Sequence, residues 1–249
     1  MGTLYLVGTP IGNLEDISPR ALRVLGEVSL IASENPPRTQ RLLARYDIHT
    51  PMMRYTDAYD RKKQERRQAV LSALAEGDVA LVSEAGMPGL ADPGYELLVE
   101  ALDRGNPIVP IPGPTALTAA LSVAGIECDR FVFLGFLPRE AGPRRELLAA
   151  WASGPFALVA YEAPHRLLGT LAELDRLFGD RPMAAACELT KLYEEVRRGS
   201  PGEILAHFQA HAPRGEFTLV VAGRTETPSP HPSPAPSLRS RTSAAGEGE

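Results

Sequence analysis

Six polar, Gly/Pro-rich segments hold the residues best placed to do chemistry, and each directly follows a short apolar run. They are Gly8 to Asn13, Ser33 to Arg38, Ser83 to Gly94, Pro112 to Thr115, Glu162 to Arg166 and Glu188 to Lys191. In the first, Gly-Thr-Pro-Ile-Gly-Asn, the glycines are spaced neither as Gly-x-Gly-x-x-Gly nor as a P-loop with its Lys and Ser/Thr. A phosphate cradle of the usual kind is therefore not encoded there. The third segment says more. Its twelve residues, Ser-Glu-Ala-Gly-Met-Pro-Gly-Leu-Ala-Asp-Pro-Gly, exceed the two to six common between a strand and a helix, and long loops of this kind are usually functional. Gly86 and Gly89 permit positive φ and close approach of backbone to a ligand, and Glu84 can accept hydrogen bonds from hydroxyl or amine groups.

These segments need a scaffold that delivers them to one edge. Apolar runs predict strands over Thr3 to Val7, Val28 to Ala32, Val79 to Ser83, Ile108 to Ile111, Phe131 to Leu134, Ala157 to Tyr161, Met183 to Cys187 and Thr218 to Ala222. Helical patterns fill the gaps: Arg20 to Gly26, introduced by Ser18-Pro19, then Thr39 to Tyr46, Tyr59 to Glu76, Gly94 to Arg104, Thr115 to Ala124, Arg144 to Ala152, His165 to Phe178 and Pro201 to Ala210. The alternation predicts an α/β protein with an open, largely parallel sheet and helices on both faces. Pro112-Gly113-Pro114 divides it into two lobes, residues 1–113 and 114–225. Ligands of such sheets bind beyond the carboxyl ends of strands and between domains, where the six segments fall. From residue 226 the chain turns Pro/Ser-rich without an aromatic residue, a composition predicting a disordered tail.

Composition narrows the classes. Among 249 residues, 44% are hydrophobic and 23% charged, and the net charge is -5, which opposes general attraction to nucleic acid and leaves RNA binding to a local basic patch. Such a patch is available in Arg61, Lys62, Lys63, Arg66 and Arg67, although interleaved Asp60 and Glu65 equally describe a solvated helix face. The two cysteines, Cys128 and Cys187, form no CxxC and read as buried thiols of a reducing cytosol. No membrane span, targeting segment or metal site is expected, and the location expected is cytoplasmic.

Taken in order, LYLVGTPIGNLEDI, LVSEAGMPGLADPG, VPIPGPTALTAAL, DRFVFLGFLPR, YEAPHRLLGTL, ELTKLYEEV and GEFTLVVAG resemble the successive motifs of the tetrapyrrole methylase-like superfamily of S-adenosylmethionine enzymes over about residues 2–223. YEAPHR and ELTK resemble more narrowly its ribosomal branch, the ribosomal RNA small subunit methyltransferase I family. That resemblance implies two α/β lobes of the class III type, a methyl donor in the cleft between them, a homodimer, and 2'-O-methylation of a decoding-centre cytidine in 16S rRNA or the small ribosomal subunit. Carried onto matching positions, it lines the donor pocket with Pro10, Glu84, Gly86, Met87, Thr115, Ala116, Tyr161 and Leu189, and turns Asn13 toward the substrate side.

Methyl transfer from a sulfonium needs no metal; the protein must hold nucleophile, carbon and sulfur in line. A ribose hydroxyl is a poor nucleophile at neutral pH, so a base should help remove its proton, and Lys191 and Glu34 are the candidates. Lys191 is either a desolvated neutral amine, a cation that orients RNA, or a plain helix-start lysine. His165 reads as a capping or packing residue. Arg38 and Arg166 are the candidate substrate contacts, Arg166 alternatively holding Glu162.

The chain departs from its branch at the cleft mouth. Glu34-Asn35-Pro36-Pro37-Arg38 stands where Glu-Asp-Thr-Arg is usual, and Glu84 and Met87 replace an Asp and a Thr. A tetrapyrrole methylase of the same superfamily and an inactive donor-binding module on the ribosome are the alternative readings.

Overall fold

The computed structural model describes residues 1–56 and 62–224. In the first half, strands β1 (Leu4–Val7), β2 (Leu30–Ser33), β3 (Met52–Arg54), β4 (Val79–Val82) and β5 (Ile108–Ile111) alternate with helices α1 (Pro19–Glu27), α2 (Pro36–Arg45), α3 (Lys63–Glu76) and α4 (Tyr95–Asp103). The strands form one parallel sheet in the order β3-β2-β4-β1-β5. β4, Val-Ala-Leu-Val, lies near the middle and is buried on both faces, as expected of an unbroken apolar run in a parallel sheet. One face packs on Val24, Leu25 and Leu43, the other on Leu71, Leu74 and Leu97.

The second half carries α5 (Ala116–Val123), β6 (Phe131–Phe136), α6 (Ala141–Trp151), β7 (Ala157–Glu162), α7 (Pro164–Phe178), β8 (Met183–Cys187), β9 (Glu195–Gly199), α8 (Pro201–Ala210) and β10 (Phe217–Val221). Its sheet runs β6-β7-β10-β8-β9. Here the expectation of a largely parallel sheet fails. Only β6 and β7 are parallel, whereas β10 enters between β7 and β8 antiparallel to both, and β9 turns back on β8 without an intervening helix. β9, Glu-Val-Arg-Arg-Gly, escapes a pattern search because it is a charged edge strand, and β3 because it has three residues.

Capping explains the helix starts. Ser18 Oγ accepts the Ala21 N–H, and Ser200 and Glu203 form a reciprocal capping box. Asn35 Oδ1 accepts the Arg38 N–H with Pro36 in the first helical position, so α2 begins three residues before the Thr39 expected from periodicity. α3 begins at Lys63; the expected helical residues Tyr59 to Arg61, and the Pro/Ser-rich tail, lie outside the described residues.

The sheets are joined through apolar contact. Ile11, from the loop after β1, sits in one cluster with Leu117 and Ala120 of α5, Val220 of β10 and Leu189. α5 thus follows a strand of the first sheet but covers the second. Cys187 is buried, which pushes its thiol up to about 11; Cys128 is half-buried rather than buried. Among the described residues, no helix is long and apolar enough to cross a membrane.

Candidate functional site

Between the sheets lies a cavity of about 330 Å³, within the range of small-molecule sites. Its walls are the carboxyl ends of β2, β4, β6, β7 and β8, the start of α5, and the start of the antiparallel β10. The loop after β4 folds over it by left-handed turns at Gly86 (φ +83°), Gly89 (+81°) and Ala91 (+60°). Two backbone hydrogen bonds dock this loop on the segment after β1: Thr9 N–H to Gly86 O (2.8 Å) and Gly86 N–H to Thr9 O (3.0 Å). Side chains tie it to the β2 end, where Glu34 Oε2 accepts the Glu84 N–H at 2.8 Å and Arg38 Nη1 donates to Glu84 Oε1 at 2.9 Å.

The opposite wall is aromatic and strained. Tyr161 stands edge-on to Phe133 (5.0 Å) and Phe136 (5.4 Å), and its hydroxyl accepts the Leu117 N–H at the start of α5 (3.2 Å). Burial raises the Tyr161 pKa, the Leu117 N–H draws it back, and the nearby Asp92 raises it further. Thr115 caps α5 through the Thr118 N–H. After β8 the chain reverses with Glu188 (φ +50°) and Thr190 (+66°) in the left-handed region, a conformation costly for non-glycine residues and held by its bonds. Lys191 Nζ donates to Glu188 Oε1 at 2.8 Å, and Thr190 N–H donates to Glu194 Oε2 at 2.6 Å. Burial pushes Glu188 up, but Lys191 and the Glu216 N–H more than offset this, leaving its carboxyl below the ordinary range.

Of the residues expected at the site, Glu34, Arg38, Glu84, Gly86 and Met87 line the cavity from the first half. Thr115, Ala116, Tyr161, Leu189 and Lys191 line it from the second. Three others do not line it. Pro10 is buried beside it, and the neighbouring Ile11 supplies the contact. Asn13 is exposed, its side chain accepting the Glu15 N–H of a short 3-10 turn. Arg166 is turned inward: Nη2 donates to the Leu137 and Pro138 carbonyls, and Nε lies 3.1 Å from Glu162 Oε1, an ion-pair contact off the line of a hydrogen bond. The second role considered for it, holding Glu162, is the one the geometry gives. Two members of the basic helix, Lys63 and Arg67, are likewise paired with Glu96 of α4.

Sequence reasoning missed Asp92 and Phe136. Asp92 sits in the long loop already singled out, but only the fold of that loop returns its carboxyl to the cavity; Phe136 lay two residues beyond the expected end of its strand. The Asp92 pKa is pushed up to about 7, first by burial and then by Glu34, with Glu216 and Glu84 adding to it and a hydrogen bond with Ser83 opposing. Carboxylates outnumber the cations Arg38 and Lys191 in the lining, so the cavity suits a cationic ligand with an apolar or aromatic part. Among the described residues, no group of three or more His, Cys, Asp or Glu is arranged to hold a metal ion.

Comparison with known proteins gives a consistent picture. The model of the family "Tetrapyrrole (Corrin/Porphyrin) Methylases" matches residues 3–205. The chain is 46% identical over 227 residues to ribosomal RNA small subunit methyltransferase I of Synechocystis, covering 90% of this chain and 80% of that one. Against the protein of the same name from Thermotoga maritima it is 44% identical over 225 residues, covering 90% and 100%. In fold it is similar to cobalt precorrin-4 methyltransferase (TM-score 0.65, 16% identity, 88% and 94% covered). It is also similar to uroporphyrin-III C-methyltransferase of Thermus thermophilus complexed with S-adenosylhomocysteine (TM-score 0.61, 21% identity, 88% and 97% covered).

Proposed function

The chain belongs to the tetrapyrrole methylase family, and from that premise we propose that it methylates the ribose 2'-hydroxyl of a decoding-centre cytidine in small-subunit rRNA. It is an S-adenosylmethionine-dependent rRNA methyltransferase. The observation that carries the reading is identity of 44 to 46% across 90% of the chain with relatives named for methylation of small-subunit rRNA.

The cavity fits the donor on chemical grounds. S-adenosylmethionine supplies an electrophilic methyl group on a sulfonium. An acid-rich lining favours that cation over the product, which has lost one positive charge. Glu84, Gly86 and Met87 hold it from one side, and Thr115 with Ala116, Tyr161 and Leu189 from the other. Phe136 and Tyr161 offer faces for a flat ring. The remaining work is to orient the sugar oxygen, exclude water and accept a proton. Lys191, held 2.8 Å from Glu188 Oε1, is the group we assign to orientation. Arg38, at the cavity mouth, is the cation we assign to the RNA side. The active form is a homodimer in the cytoplasm.

Deleting the gene and mapping 2'-O-methyl groups along small-subunit rRNA tests the proposal. Loss of the ribose methyl at one decoding-centre cytidine is expected, with restoration by the intact gene. Retention of every ribose methyl overturns it. Sedimentation of the purified protein tests the dimer.

A further inference from the structure

Asp92 is the acidic group of this lining that, among the described residues, is partnered by a hydroxyl, that of Ser83, and by no cation. Glu84 is paired with Arg38, Glu188 with Lys191, and the buried Glu162 with Arg166 and the Thr170 hydroxyl. Glu34 receives the Glu84 N–H and so fastens the loop. Glu216 is exposed at the rim. Asp92 lines the same cavity half-buried, near the end of a loop with four left-handed residues, Gly86, Gly89, Ala91 and Gly94. The groups that act on it are the Ser83 hydroxyl and the carboxylates Glu34, Glu84 and Glu216, contributed by the ends of β4 and β2 and the start of β10. Tyr161 of β7 feels its charge across the cavity.

We propose that Asp92 is the general base that takes the proton from the ribose hydroxyl during methyl transfer. The inference rests on the function proposed above. The sugar oxygen forms its bond to the methyl carbon while the carbon–sulfur bond breaks with its electron pair remaining on sulfur, and the hydroxyl proton passes to the Asp92 carboxylate. One positive charge on sulfur and one negative charge on the carboxylate are cancelled together. The proton later leaves to solvent through the cavity mouth.

The surroundings suit the task. A base works best when its pKa lies near the working pH, and burial beside three like charges brings Asp92 to about 7. Lys191 Nζ is held on Glu188 Oε1 at 2.8 Å, which turns it to the Glu-Leu-Thr-Lys turn. The base is thus set by the long loop and the β2 end, not by the Glu-Leu-Thr-Lys turn.

The test uses full-length protein with Asp92→Asn and Asp92→Glu, methyl donor, and small-subunit rRNA or the assembled subunit, in single turnover between pH 5.5 and 9. In the wild type the rate is expected to rise tenfold per pH unit below about 7 and then level off. Asp92→Asn should lose ~100-fold or more in rate and lose that rise, Asp92→Glu should recover part of the rate, and donor affinity should fall far less than the rate does. A second reading needs no turnover: in protein labelled with carbon-13 at Asp carboxyls, one signal should titrate near 7 and vanish in Asp92→Asn. An Asn variant within about threefold of wild type, an unchanged pH profile, or no carboxyl titrating above about 5 overturns the assignment of Asp92 alone. A wild type that places no ribose methyl on either substrate overturns the proposed function, and the base with it.

Discussion

Asn13 donates its backbone N–H to the Thr190 hydroxyl at 3.1 Å, joining loops 177 residues apart that follow β1 and β8. The residue before it explains how they come so close. A Cβ placed on Gly12 would lie 2.5 Å from Lys191 Cγ, 2.6 Å from Thr190 Oγ1 and 2.9 Å from the Leu189 carbonyl oxygen. Gly8 meets a similar limit at the backbone of Gly113, two residues past β5. Gly12 therefore serves close contact between the halves of the molecule, and Gly8 close packing within the first.

Gly12→Ala should force the strained turn at 188–191 to move by several tenths of an ångström. Overpacking of this kind costs about 1–3 kcal/mol. Because Leu189 and Lys191 line the cavity, donor affinity should fall about tenfold along with the melting temperature. Calorimetry and thermal unfolding give both numbers. An unchanged donor affinity would mean that the two loops part without disturbing the site.

Arg166→Ala should destabilise the fold without weakening RNA attraction. The Glu162 carboxylate has no solvent exposure, and removal of the guanidinium leaves it with the Ala163 N–H and the Thr170 hydroxyl alone. Breaking one side of a buried pair costs about 3–5 kcal/mol. Urea unfolding measures this. The slope of log affinity for rRNA against log salt should stay unchanged, whereas a phosphate contact would lower it by about 1.

Lys191 can be tested by the charge it keeps. Arg holds a positive charge throughout the working pH range and cannot act as a base, so Lys191→Arg separates a cation from a proton acceptor. Turnover within about tenfold of wild type is expected for Arg. Lys191→Met removes the partner of Glu188 from a turn packed on Gly12, and misplacement on this scale can cost about 100-fold. Equal losses in both variants, each with an altered pH profile, would return Lys191 to the role of base.

Much of this was legible in order along the chain, because strand ends carry sites in α/β proteins and the long loop after β4 announced itself by length. Ile108–Ile111, Met183–Cys187 and Pro201–Ala210 fall where periodicity and capping put them. What escaped were features set by pairing at a distance. Nothing local to Phe217–Val221 tells that it inserts antiparallel between β7 and β8. Arg166 could be read either as a substrate contact or as the partner of Glu162, and only the folded chain chooses the second. The proton affinity of Asp92 depends on Glu34 and Glu216, which only the folded chain brings near.

The same affinity makes a prediction about stability. Asp92 titrates near the ordinary aspartate value of 3.8 in the unfolded chain and near 7 in the fold, so between those values the native protein holds a proton that the unfolded chain has released. Its contribution is therefore full below about pH 4, declines as pH rises, and is gone above about 7. Three units correspond to about 4 kcal/mol, which screening of a partly exposed carboxyl reduces to about 2. Asp92→Asn imitates the protonated form and should flatten the decline, leaving the variant about 2 kcal/mol more stable than wild type at pH 8. Glu188 acts in a separate window, because its lowered pKa withdraws stability only as pH falls below about 4.5. Urea unfolding of both proteins from pH 4 to pH 8 decides it. Parallel curves would mean that Asp92 is ionised throughout, whereas convergence toward pH 4 shows an acid whose crowding by Glu34, Glu84 and Glu216 is maintained at the expense of the fold.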